Sequence, residues 1–195
     1  MTVAAAATRL ISVEEYLAGE ELAEMKHEYL GGVVYAMAGA TNTHNRLAGN
    51  SFAALHAQLR GQRCQPFNSD TKVRVQYADH TRFYYPDVQV VCRQNPGSDH
   101  FQDDPAVVIE VTSVSTRRTD EQEKRAAYLR LSSLRIYVLI DQYAVAATVW
   151  RRGENGFARE DYEGRNATIL LSEIGAQLSL ADVYEDVTLA PEKAI

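Results

Sequence analysis

Two short β-branched runs, Tyr85-Pro86-Asp87-Val88-Gln89-Val90-Val91 and Ala106-Val107-Val108-Ile109-Glu110-Val111-Thr112, constrain this chain more than any other feature. Each has the composition of a buried strand, and each carries a carboxylate where an apolar side chain is expected. A buried carboxylate is costly unless it is paired or coordinates a metal. Two of them on neighbouring strands therefore point to a divalent-cation site. Pro86 suits the start of a strand and not its middle, which puts Asp87 at the opening of the first run. The loop between the runs is long enough to bring Asp87 and Glu110 to one edge of a sheet.

The surrounding pattern alternates helices and strands. Ser12 followed by Glu15 is a capping-box signature, opening a helix whose apolar face is Val13, Tyr16 and Leu17. A second short helical segment is expected over residues 23–29, before a Gly31-Gly32 turn and a strand at 33–37. Residues 43–59 carry apolar side chains at helical spacing, and Gly61 stops that helix. Residues 71–77 alternate valines with basic residues, the mark of a half-exposed strand, and return through a hairpin at Ala78-Asp79-His80. A helix over 119–131 joins the strand at 107–111 to one at 136–140, which makes a right-handed parallel crossover. Strands at 145–150 and 157–162 follow, then a terminal capping region with one short strand. The arrangement implies an α/β fold with a mixed central β-sheet flanked by helices. It is read as a single domain over residues 8–190, with 1–7 a flexible N-terminus.

Composition limits the function. The net charge of -6 argues against non-specific nucleic-acid binding over the whole surface. It leaves room for a local basic groove, and Lys72, Arg74, Arg82, Arg117, Arg118, Lys124 and Arg125 are cations that the fold can gather around one cleft. Cys64 and Cys92 form no CxxC pair and are expected to be reduced thiols packed as small core residues. No apolar run is long enough to span a bilayer, so no membrane association and a cytoplasmic location are expected.

The chemistry follows from the carboxylates. Mg²⁺ takes hard oxygen ligands and keeps several waters. Asp87, Glu110 and the backbone carbonyl of Val111 would leave positions for water and a phosphate. Lys124 has two readings: a surface i,i+4 pair with Asp120, or a cation reaching the carboxylates to orient a nucleophile or stabilise a transition state. Arg117 and Arg118 are either phosphate contacts or plain surface residues. Glu28 is a candidate outer carboxylate. Asp70 is a further acid or a turn residue, and His44 either contacts phosphate or helps to cap its helix. Tyr84, Tyr85 and Trp150 are read as packing rather than base-stacking platforms. A glycine-rich phosphate loop, a GxSxG elbow, an HExxH pair and zinc-finger spacing are all absent from the sequence.

An ordered set of short motifs extends over nearly the whole chain: Ser12-Val13-Glu14-Glu15-Tyr16-Leu17, His27-Glu28-Tyr29-Leu30-Gly31-Gly32, Met37-Ala38-Gly39-Ala40 with His44-Asn45, Tyr85-Pro86-Asp87-Val88, Val108-Ile109-Glu110-Val111, and Asp120 to Lys124 to Tyr128. In this order they resemble the large bacterial family of restriction-endonuclease-like proteins of unknown function, in the PD-(D/E)XK nuclease superfamily. The resemblance implies a restriction-endonuclease-like fold, often a homodimer, with a Mg²⁺-dependent phosphodiesterase site in which Mn²⁺ can substitute. It assigns Asp87 and Glu110 to the two acidic motif positions, Glu28 to an N-terminal helical glutamate, and Lys124 to a motif lysine displaced from the strand to the following helix. Thr112 stands where the usual superfamily lysine would be, in keeping with the displaced variant. Val114 and Ile136 depart from the commoner proline and glutamate without touching a proposed ligand. The function implied is a metal-dependent endonuclease acting on DNA. The alternatives are a catalytically weak or inactive member serving as a binding or regulatory homodimer, and hydrolysis of RNA or another phosphoester at the same residues.

Overall fold

The computed structural model describes residues 9–112 and 119–189. The capping box forms as expected. Ser12 Oγ accepts from the Glu15 N–H at 3.1 Å, and the Ser12 N–H donates to Glu15 Oε2 at 2.9 Å, starting α1 (Val13–Glu20). The chain then forms a hairpin of β1 (His27–Leu30) and β2 (Val33–Ala36). Its turn is made by Gly31 and Gly32, at φ 58° and 101°, backbone angles that glycine adopts without strain. The helix expected over residues 23–29 is therefore replaced by strand. Here alternation decides: Tyr29 packs against Tyr16 and Phe83, while Glu28 faces away from them.

The helix expected at 43–59 is α2 (Asn42–Leu59), capped by Thr41 and burying Leu47, Ser51, Leu55 and Leu59. Strands β3 (Gln65–Asn68), β4 (Lys72–Gln76), β5 (Thr81–Tyr84), β6 (Val88–Val91), β7 (Phe101–Gln102) and β8 (Pro105–Thr112) follow. Next, a single π-helical turn, Thr119–Lys124, runs into the short α3 (Arg125–Tyr128). The helix expected over 119–131 is thus present but shorter, and irregular in its first half. The remainder is β9 (Ile136–Asp141), β10 (Ala146–Gly153), β11 (Gly156–Glu163), β12 (Thr168–Leu171), β13 (Ala176–Ser179) and α4 (Leu180–Val183). β12 and β13 form a hairpin where one short strand was expected.

The central sheet has six strands in the order β11-β10-β9-β8-β6-β3. It is mixed: β8 and β9 run parallel, with Val107 opposite Ile136 and Thr112 opposite Asp141, and the other neighbours are antiparallel. A second sheet has the order β2-β1-β5-β4-β7. One face of the central sheet packs Val88, Val90, Val107 and Ile109 against Leu47, Leu55 and Leu59 of α2. The other packs Val108, Tyr137 and Leu139 against Tyr128 of α3 and Val73, Val75 and Tyr84 of the second sheet. Burial on both faces explains why the β6 and β8 segments read as continuous apolar runs. Each large side chain so buried contributes roughly 1.5–3 kcal/mol.

Cys64 and Cys92 correct one expectation. Both pack at the margin of the core, but they are joined as a disulfide rather than standing as two thiols. The physical reason is register: Gln65 lies opposite Val91 in the β3–β6 pair, so the next residues outward face one another. Among the described residues, no helix is long and apolar enough to cross a membrane.

Candidate active site

Antiparallel pairing brings the two anomalous carboxylates together. Val88 of β6 lies opposite Ile109 of β8, so Asp87, one step before β6, faces Glu110. The Val111 N–H donates to Asp87 Oδ2 at 2.7 Å, and the Asp87 N–H approaches Glu110 Oε2 at 3.4 Å. Each carboxylate is thereby held by the backbone of the other's strand.

Glu28 arrives from the second sheet and Lys124 from the end of the π-helical turn. Lys124 Nζ lies 3.0 Å from Glu28 Oε1 and 3.6 Å from Glu110 Oε1. It points into the carboxylate cluster, which favours the second of its two readings. Asp120 lies outside the described side chains. Tyr128, one turn beyond Lys124, donates its hydroxyl to Glu110 Oε1 at 3.1 Å. Burial and the charges of Glu110 and Glu28 push the Tyr128 phenol well above its ordinary pKa, so it stays a neutral donor.

His44 takes part in the helix cap and also turns its ring to the site. Its backbone N–H donates to Thr41 Oγ1 at the α2 cap, 3.1 Å, while its ring Nε2 lies 3.2 Å from Asp87 Oδ2. Asp70 is not gathered into the cluster. It is largely exposed and pairs with Lys26 at 2.6 Å, which holds its carboxyl below the usual range. Arg117 and Arg118 lie outside the described residues. The other cations expected at the cleft are elsewhere: Arg74 is bound to Asp103, Arg82 faces Glu123, Arg125 lies over Trp150, and Lys72 is buried near the Tyr16 and Tyr85 rings. Carboxylates nearer in the fold have captured Arg74 and Arg82, and an aromatic ring holds Arg125. Tyr84 and Tyr85 are buried, as expected for packing.

A cavity of about 690 Å³ opens over this cluster, lined by Glu28, His44, Asp87, Glu110, Val111 and Lys124, with Lys26, Met25 and Tyr35 on its wall. Tyr128 and Lys26 escaped the sequence reading. Tyr128 had a signal, its i+4 spacing from Lys124, which places both on one helix face.

The donor set suits a hard cation. Asp87 Oδ2 is taken by Val111 and His44, while Oδ1 has no bond among the described residues. Val111 lines the same cavity. Among the described residues, no group of three or more His, Cys, Asp and Glu side chains is placed to hold a metal ion. Two carboxylate positions and a carbonyl, completed by water, match the sparse protein ligation that Mg²⁺ accepts.

The mixed central sheet and its flanking helices make a restriction-endonuclease-like fold. Residues 13–183 match the model of the Uma2 family, described as "Putative restriction endonuclease", and the chain belongs to that family. A protein of Synechocystis sp. named as uncharacterized is 30% identical over 171 residues, covering 86% of this chain and 96% of its own. A second from the same organism is 31% identical over 147 residues, covering 75% and 76%. The crystal structure of a "putative nuclease" of the DUF820 group from Anabaena variabilis superimposes with a TM-score of 0.70 at 17% identity. It covers 91% of this chain and 99% of that one, and shares its fold.

Proposed function

We propose that this protein is a Mg²⁺-dependent endonuclease hydrolysing DNA phosphodiester bonds, with Mn²⁺ able to substitute. The observation that carries this reading is Lys124 Nζ placed between Glu28 and Glu110, with Asp87 beside them, from four separate parts of the chain, on the wall of one cavity. Asp87, Glu110 and the Val111 carbonyl are the groups that would hold the metal. When bound, the metal supplies an acidified water and neutralises charge on the phosphoryl oxygens.

The chain's own residues do the rest. The Val111 N–H and His44 fix Asp87 Oδ2, so Oδ1 is the oxygen left toward the ligand. Tyr128 fixes Glu110 Oε1 in the same way. Lys124 offers an ammonium at the edge of the carboxylates, where it orients an attacking water and stabilises negative charge developing at phosphorus. Glu28 holds Lys124 in place. The water gives up a proton to solvent and its oxygen bonds to phosphorus, the bond from phosphorus to the leaving sugar oxygen breaks, and that oxygen is protonated from solvent. The protein is read as a homodimer, which sedimentation checks directly. Cleavage of linear, supercoiled and single-stranded DNA by wild type beside Asp87→Ala and Lys124→Ala tests the reading, with product expected from wild type alone.

A further inference from the structure

We propose that the cavity takes an unpaired nucleotide, its base stacked on Tyr35 and its flanking phosphate at Lys26. This rests on the phosphodiesterase reading and names its substrate class: a single-stranded segment, end or flap rather than closed duplex.

The first support is register. Tyr35 of β2 lies directly opposite Glu28 of β1, and directly opposed residues in an antiparallel pair share a face, with Cβ atoms about 4.5–5.5 Å apart. The neighbouring pair, Tyr29 and Val34, belongs to the cluster around Tyr16 and Phe83. The face carrying Glu28 and Tyr35 is therefore the site face. Tyr35 remains 52% exposed there, while Tyr29 on the opposite face is 5% exposed. Met25, 57% exposed, lies on the same cavity wall. A flat aromatic ring left half open beside the acidic cluster offers a stacking surface to any base.

The second support is the distribution of charge. Duplex binding depends on many simultaneous phosphate contacts. Two arginines that could make them are held in mostly covered pairs within the protein, Arg74 with Asp103 and Arg151 with Glu160 and Glu173. On the cavity wall the described cations are Lys124, held among carboxylates, and Lys26. Lys26 pairs with Asp70 at an exposed position, 38% and 70% open. Such pairs contribute little, so a phosphate can replace Asp70 at modest cost. One exchangeable cation beside one open ring suits a single nucleotide unit.

The test is fluorescence anisotropy with a short labelled oligonucleotide, single-stranded or annealed to its complement. Ca²⁺ replaces Mg²⁺ as a hard-oxygen cation, and binding is read apart from turnover. Wild type is expected to bind the single strand more tightly than the duplex. Tyr35→Ala is expected to weaken single-strand binding about 5- to 150-fold, the loss of one stacked base, and Tyr35→Phe to restore it. Lys26→Ala is expected to reduce the slope of log affinity against log salt by about 0.7. Equal or tighter duplex binding, wild-type affinity in Tyr35→Ala, or no affinity for either form would overturn the proposal. Its failure is distinct from that of the nuclease reading. Cleavage of duplex without single-strand preference sinks only the substrate class, whereas single-strand binding without Mg²⁺-dependent cleavage sinks only the catalysis.

Discussion

Lys124 is 8% exposed and sits between Glu28 and Glu110. Removing one partner of a buried pair leaves unmatched charge, at roughly 3–5 kcal/mol. Lys124→Met is therefore expected to lower the urea midpoint as well as abolish cleavage. The double variant Lys124→Met with Glu28→Gln should recover part of the stability and none of the activity. Stability restored together with activity would mean that Lys124 is only a structural counter-ion. Tyr128→Phe removes a hydrogen bond to a charged acceptor, an expected loss of about 1.5–3 kcal/mol, with cleavage reduced in a protein whose circular dichroism is unchanged. The legibility of these residues differed for physical reasons. Asp87 and Glu110 stood out because carboxylates interrupt β-branched runs. A tyrosine in a helix reads as packing whether or not its hydroxyl meets a carboxylate, so Tyr128 was missed. The choice of partner for Lys124 depends on how α3 meets two sheets, which no local pattern encodes.

At the scale of elements, the disulfide joins the start of β3 to the end of β6, far along β6 from Asp87. It closes a loop with a sequence separation of 28. In the chain-entropy model such a link contributes about 3–4 kcal/mol. The double substitution Cys64→Ser with Cys92→Ser, or reduction, is expected to lower the denaturation midpoint by a matching amount with little effect on cleavage at low temperature. An unchanged midpoint under reducing conditions would show that the link contributes nothing. The bond was illegible because spacing alone does not reveal register, whereas the Gln65–Val91 pairing makes it a near neighbour. By contrast, α1 and α2 were legible, since Ser12 with Glu15 and the Leu47-Ser51-Leu55-Leu59 stripe state their period outright. The four residues of β1 are too few to separate a helical from an alternating pattern. Only the partner strands decide it. Glu28 is thus read as helical from the sequence, whereas it meets Lys124 from β1.

Across the whole molecule, tyrosines bind the layers together. Tyr16, Tyr84, Tyr85, Tyr128 and Tyr184 are buried, and burial pushes each phenol above its ordinary pKa of 10.0. The unfolded chain ionises near pH 10 while the folded protein keeps these protons. Their contribution is therefore fully present below pH 10 and is lost above it, at about 1.4 kcal/mol per pH unit for each tyrosine. Burial lowers the pKa of Lys72 from 10.5, which acts in the opposite direction between its folded value and its unfolded one. One lysine against five phenols leaves a net fall. A single cooperative alkaline transition above pH 10 is expected, with tyrosinate absorbance and loss of far-ultraviolet circular dichroism rising together. Titration of all tyrosines with the dichroism intact would contradict it. The convergence of Glu28, Asp87, Glu110 and Lys124 on one cavity is also a property of the whole chain, since two sheets and a π-helical turn must dock to build it. Its meaning is tested most directly by Mg²⁺-dependent DNA cleavage with wild type, Asp87→Ala and Lys124→Ala at matched folding. Product from wild type that disappears in both variants is the expected result. No product from the folded wild type with either Mg²⁺ or Mn²⁺ on any DNA form, or equal product from all three proteins, would contradict it.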